Sequence, residues 1–190
     1  MSLGKQAKTL TDAQQRVVLS HLSSGRHSAR NTAMFLLSVD GALRAKEIAS
    51  LEWSMLTDAN GSLTDIIRLQ DRVSKGRSGG VVYMSKRLQK ALLDYGQDQA
   101  MTGRVIKSQS AASMSAQVVT NWFFNLYREL GFDGCSSHSG RRTAITRWAR
   151  TISSVGGSLR DVQALARHSS IAMTQRYIEV SEDACRRVVG

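Results

Sequence analysis

The sequence predicts a mainly helical α+β fold with one small antiparallel β-hairpin. Two observations lead there. Apolar residues recur at helical spacing through most of the 190 residues. Two β-rich runs occur, both between residues 62 and 85. The chain has no proline, so Gly, Asn, Asp and Ser must punctuate it. A chain of this length can form one core that buries roughly 70% of the unfolded surface, and a single domain over residues 1–190 is expected.

Thr11 is a natural N-cap for "LTDAQQRVVLSHL", which places Ala13, Val17 and His21 near one face of a helix. "SARNTAMFLLSVD" reads as a buried helix ending at Asp40-Gly41, and a new helix begins near Arg44 with Ile48 and Leu51 inward. "SLTDIIRLQDRV" and "GGVVYMS", joined by "SKGRSG", form the hairpin. In "SKRLQKALLDY", Leu88, Ala91, Leu92 and Tyr95 fall at i, i+3, i+4 and i+7. "SAQVVTNWFFNLYREL" repeats the pattern through Val119, Trp122, Phe123, Leu126 and Leu130, then stops at Gly131. "HSGRRTAITRWAR" opens a helix whose inward stripe is Ile145, Trp148, Ala149 and Ile152, and "SSVGGS" follows as a flexible loop. Two further helices start near Ser158 and Ser170, with a break at "RHSS".

The charge balance narrows the function. Twenty-six Lys and Arg against fifteen Asp and Glu give +11 at neutral pH, a surplus that suits a polyanionic partner such as nucleic acid or an acidic membrane surface. Cys135 and Cys185 are the only cysteines and lack metal-ligand spacing, so a reducing, cytoplasmic setting is expected. No apolar run approaches the roughly 18 residues of a membrane span, and no membrane partner is expected.

Several residues are candidates for chemistry, each with a plain alternative. Arg141 lies four residues before Ile145, so an arginine shares the apolar stripe, and a buried charge there requires either a carboxylate or an anion. Arg142 points about 100° away and reads equally as solvated or as a backbone-phosphate contact. Arg44 follows a Gly turn, and a salt bridge to Glu47 would account for it. Lys75 and Arg77 sit at the hairpin tip, where solvated cations are ordinary. His138 and His168 can be structural, and Tyr177 can be a core tyrosine.

Taken in order, however, these residues form a set. "GALRAKEIASLEW", "SKGRSGGVVYMS", "HSGRRT" and "LARHSSIAMTQRYIE" together resemble the catalytic domain of the tyrosine recombinases, the phage-integrase family, from about residue 10 to about 180. The resemblance implies the tyrosine-recombinase catalytic-domain fold and a site-specific recombinase that cuts and rejoins double-stranded DNA. Arg44 and Arg141 would hold the non-bridging oxygens of the scissile phosphate, His138 and His168 would hydrogen-bond it, and Lys75 would protonate the departing 5′ oxygen. Tyr177 would attack to give a 3′-phosphotyrosine, with Arg77 and Arg142 contacting DNA nearby. Neither metal nor ATP is expected, since the cations supply the positive charge and the phosphotyrosine stores the bond energy. The resemblance further implies self-association as a tetramer on DNA, in the nucleoid.

The match departs from the family in four places. The family's separate N-terminal DNA-binding domain is expected to be absent. Arg167 stands where the family usually has Gly before its second histidine, and a positive φ there would suit arginine poorly. "GGVVYMS" lacks the usual proline, and "SSVGGS" lengthens the connection between "HSGRR" and "RHSS". The other readings are a type IB topoisomerase-like enzyme and a non-catalytic DNA-binding regulator derived from an integrase.

Overall fold

A computed structural model of the chain describes residues 6–71, 79–97, 99–108, 112–178 and 182–189. It divides into two compact units, Met1–Ala144 and Ile145–Gly190, and the architecture is the helical fold with one small sheet that the sequence predicts.

The first unit opens with α1 (Asp12–Ser23). Thr11 Oγ1 accepts from the Gln14 amide, and Gln14 reaches back to accept from the Thr11 amide, satisfying two otherwise orphaned N–H groups. The buried face of α1 is Gln15, Val18 and Leu22, while Val17 is half exposed. That is one residue round from the face carrying Ala13, Val17 and His21. Adjacent valines at 17 and 18 allow either stripe, and packing selects the one continued by Leu22.

Helix α2 (Ser28–Val39) is the central helix of this unit, buried without interruption from Ala33 to Val39. It ends at Asp40. Gly41 then comes so close to the Leu37 carbonyl that a Cβ would sit 2.9 Å from it, which explains a glycine at this turn. Ala42 follows with φ 52, a left-handed residue held in a fully buried position. Helix α3 (Ala45–Ser50) starts directly after Arg44, with Ile48 and Leu51 inward as the spacing predicts.

Strands β1 (Ile66–Leu69) and β2 (Gly80–Tyr83) pair antiparallel, Ile66 opposite Tyr83 and Leu69 opposite Gly80. Ile67, Leu69 and Val82 face the core while Arg68, Val81 and Tyr83 face outward, the alternation of a half-buried sheet. Helix α4 (Lys86–Gly96) buries Leu88, Ala91 and Leu92. Helix α5 (Ala116–Glu129) buries Val119, Phe123, Leu126 and Tyr127, and the chain leaves it through Gly131 at φ 69. Trp53, Phe35, Phe123 and Tyr127 are the largest side chains of the resulting core.

Helix α6 (Ser139–Thr151) begins in the first unit and continues into the second. Ile145 is fully buried, but Trp148, Ala149 and Ile152 are only partly so. The stripe therefore reaches full burial at Ile145 alone. Part of the expected loop is ordered: Ile152–Val155 forms a 3-10 turn, closed by Gly156 in the left-handed region. In the second unit, α7 (Leu159–Ala166) starts where Asp161 accepts from both the amide and the hydroxyl of Ser158. Those bonds hold the Asp161 carboxyl below its usual range. Helix α8 (Ile171–Gln175) follows the "RHSS" break, and α9 (Glu182–Val189) is an element the sequence did not suggest.

Candidate active site

In the first unit, the turn after α2 and the start of α6 bring arginines together from distant parts of the chain. Arg44 is only about one-fifth exposed, and buried Glu47 grips it twice: the carboxylate accepts from the Arg44 backbone N–H and from Nη1, each at 2.8 Å. The salt bridge that would account for Arg44 by itself does form. Its buried acid also fixes the guanidinium at the head of α3.

Arg141 is 4% exposed. Its Nη1 donates at 2.6 Å to the carbonyl of Ala42, a residue 99 positions away and two before Arg44. The left-handed conformation of Ala42 directs that carbonyl, and the arginine thereby ties the start of α6 to the Arg44 turn. His138 lies immediately before α6 and is exposed; its backbone carbonyl accepts from the Arg142 N–H at 2.9 Å. Arg142 bonds to Gln6 Oε1.

Close backbone approach makes this arrangement possible. A Cβ on Gly140 would lie 2.2 Å from Ser38 Oγ, 2.9 Å from its Cβ and 3.0 Å from its carbonyl carbon. The hydroxyl can rotate away, but the other two atoms cannot. Gly140→Ala is therefore expected to lower unfolding stability by about 1–3 kcal/mol. Adding Ser38→Gly should recover part of the loss, and chemical denaturation of the three proteins measures both effects.

The second unit holds the other pair. His168 is buried, and its Nδ1 lies 2.9 Å from Oγ1 of the fully buried Thr174. That bond fixes which ring nitrogen is engaged and how the imidazole is turned. The ring stacks on Tyr177, with centroids 5.4 Å apart and planes at 28°. Tyr177 is half-buried on the turn that ends α8, where its N–H donates to the Thr174 carbonyl. Thr174 thus holds both residues, one through its side chain and the other through its backbone.

Arg167 adopts φ 53 and ψ 45 as the residue that caps α7. The left-handed turn before His168 is therefore kept without the glycine, at a backbone cost of roughly 1–2 kcal/mol that the fold absorbs. Lys75 and Arg77, the hairpin cations, lie outside the described residues.

Sequence reasoning singled out Arg44, His138, Arg141, His168 and Tyr177, and missed what holds them. Thr174, Ala42 and Gly140 lie inside the stretches that carry the resemblance, yet none of them is a sequence candidate for chemistry. The "GALR" stretch contained one signal, an alanine after a glycine in a tight turn, but its carbonyl partner 99 residues away is visible only in three dimensions.

Comparison with known proteins gives a consistent result. The model of the phage integrase family matches residues 6–183. Among solved structures, the Tn1549 transposon integrase in complex with a circular intermediate DNA superposes with a TM-score of 0.76 at 17% identity, covering all of this chain and 67% of that one. XerA recombinase gives 0.73 at 20% identity, covering 99% and 64%. XerH site-specific recombinase, bound to its difH substrate in a pre-cleavage complex, gives 0.72 at 15%, covering 100% and 56%. The chain thus spans between 56% and 67% of the length of these three structures. None of the proteins with curated descriptions matches it in sequence.

Proposed function

Because the chain belongs to the phage integrase family, we propose that it is the catalytic domain of a site-specific DNA recombinase that breaks and rejoins double-stranded DNA through a covalent phosphotyrosine. The observation that carries this reading is the bond from Arg141 to the Ala42 carbonyl, which brings a buried arginine of α6 to the turn that presents Arg44. Two arginines held in this way suit a phosphodiester, whose non-bridging oxygens accept bidentate guanidinium bonds.

The chemistry follows from the residues. The Tyr177 oxygen attacks the scissile phosphorus, the Tyr177 O–P bond forms, and the bond from phosphorus to the 5′ oxygen breaks. The tyrosine proton leaves to a nearby base, with His168 stacked on the ring the candidate. Lys75 protonates the departing 5′ oxygen, and that strand ends in a free hydroxyl. Arg44, Arg141 and His138 stabilise the charge that accumulates on the phosphoryl oxygens, each such donor supplying roughly 3–4 kcal/mol in the transition state. Attack by a 5′-hydroxyl on the phosphotyrosine reverses the sequence and reseals the strand. No nucleotide hydrolysis is required, because one phosphoester is exchanged for another. Arg77 and Arg142 would contact the flanking backbone.

The partner is double-stranded DNA, and the active assembly is a tetramer formed on it, within the nucleoid. Among the described residues no helix is long and apolar enough to cross a membrane. A net charge of +11 predicts binding governed by phosphate contacts. Raising salt from 50 to 200 mM should cost about 10³-fold or more in affinity, on the scale of six or more phosphate contacts, as read by a titration of log Kd against log salt. A salt-independent affinity would contradict a phosphate-tracking surface.

The test of the reaction uses nicked duplexes drawn from a pool enriched for binding to the protein. Cleavage near the nick releases a short oligonucleotide and strands the protein on DNA. A covalent adduct on a denaturing gel is the expected result. A bound but unreacted duplex would favour the regulator, and supercoil relaxation without pairing of two duplexes would favour the topoisomerase-like enzyme.

A further inference from the structure

The turn that presents Arg44 is gripped from its other side by a cluster that the proposed reaction does not use. Asp40, at the end of α2, is 5% exposed. One of its carboxylate oxygens accepts from Ser85 Oγ and from Arg87 Nε, and the other accepts from Arg87 Nη2, all three at 2.6 Å. Arg87 Nη2 also donates to Gln15 Oε1 on α1 at 3.0 Å. Ser85 serves the next helix as well, since its oxygen accepts from the Leu88 N–H and caps α4.

The location of this cluster gives it meaning. Asp40 is four residues before Arg44 and two before the Ala42 carbonyl that receives Arg141. Ser85 is the N-cap of α4 and Arg87 lies in its first turn, directly after β2 in the chain. A short exposed ion pair would contribute little, but here the acid is buried and the contact is a two-pronged fork with a third donor. The hydrogen bond to Asp40 is also the leading reason the Arg87 guanidinium is held above its usual range.

We propose that Asp40 is a positioning residue for the cleavage reaction, which through its fork to Arg87 and its bond to Ser85 fixes the Arg44 turn against the start of α4. Asp40 touches neither substrate nor reacting atoms in this scheme. It sets the register between the turn that carries Arg44 and the start of α4. The effect on cleavage rests on the recombinase reading above, whereas the effect on the turn does not.

Two measurements on the intact chain test it, with Arg87→Ala and Arg87→Lys as the variants. The first is amide hydrogen exchange at Leu43, which donates to the Leu37 carbonyl at 3.0 Å, and at Arg44, which donates to Glu47 at 2.8 Å. Arg87→Ala should speed exchange at these two amides about tenfold or more while leaving the buried amides of α5 unchanged, the signature of local opening. The second is single-turnover cleavage of a nicked duplex at saturating DNA. There Arg87→Ala should be slower by up to about a hundredfold, the scale of a small misplacement of a catalytic group, with DNA affinity unaltered. Arg87→Lys keeps the charge and loses the fork, so it should fall between wild type and Arg87→Ala in both readouts.

Uniform acceleration of exchange throughout the first unit would overturn the proposal, since the cluster would then serve global stability alone. So would a cleavage defect that vanishes with excess DNA, which would make Arg87 a DNA contact. Should Arg87→Ala fail to fold, Arg87→Lys decides: unchanged exchange at Leu43 and Arg44 overturns the proposal. Absence of any adduct with the wild-type chain would instead sink the recombinase reading, and the exchange experiment would still decide whether Asp40 holds the turn.

Discussion

Replacing Tyr177 by phenylalanine is expected to abolish the covalent protein–DNA adduct while leaving DNA affinity unchanged. The substitution removes one oxygen and keeps the ring, so the stack on His168 at 5.4 Å and the turn after α8 should survive. If that oxygen is the nucleophile, the variant lacks the attacking atom, and the rate should fall by roughly 10⁴-fold or more. Tyr83 supplies the matched control. It is 64% exposed on the outer face of the sheet, which makes it the most accessible of the described tyrosines. Tyr83→Phe should form adduct at the wild-type rate. Adduct surviving in Tyr177→Phe but lost in Tyr83→Phe would move the nucleophile to the hairpin and refute the assignment. A DNA-binding regulator would show no adduct in any of the three proteins.

Much of this arrangement was legible in the sequence because it rests on local rules. The 3.6-residue period located the helices, and glycines and polar caps located their ends; Thr11, Asp40 and Gly131 all mark real boundaries. The order of Arg44, His138, Arg141, His168 and Tyr177 carries the resemblance to the family whose model matches the chain. What stayed hidden depends on non-local packing. Val17 and Val18 are equivalent to a periodicity argument, and only Leu22 with its neighbours chooses between them. Gly140 reads as a poor helix residue until Ser38 is seen against it. A left-handed turn suits arginine poorly by local rules, yet Arg167 adopts it. Asp40 and Arg87 are 47 residues apart, and neither belongs to a motif. The residues that would perform the chemistry carry a sequence signature. Those that hold them in place do so through single backbone carbonyls, a hydroxyl and a buried carboxylate, contacts that no sequence pattern displays.

Arg141 allows that division to be tested, because it belongs to both groups. Its guanidinium would hold a phosphate, and it also donates to the Ala42 carbonyl at 2.6 Å. Arg141→Ala removes both functions. Leaving a buried carbonyl without this donor costs roughly 1–3 kcal/mol, so the variant should be measurably less stable as well as inactive. Arg141→Lys separates the two losses. A single ammonium can satisfy the Ala42 carbonyl or address the phosphate, but it lacks the planar fork that does both. Stability should therefore return most of the way, while single-turnover cleavage stays about 10²–10³-fold below wild type. Arg44→Ala and Arg141→Ala combined should be far less than multiplicative in rate, since two donors to one anion act as a unit. Full activity in Arg141→Lys would mean that charge alone suffices there. A multiplicative double variant would mean that the two arginines serve different groups, and the bond from Arg141 to the Arg44 turn would then be only structural.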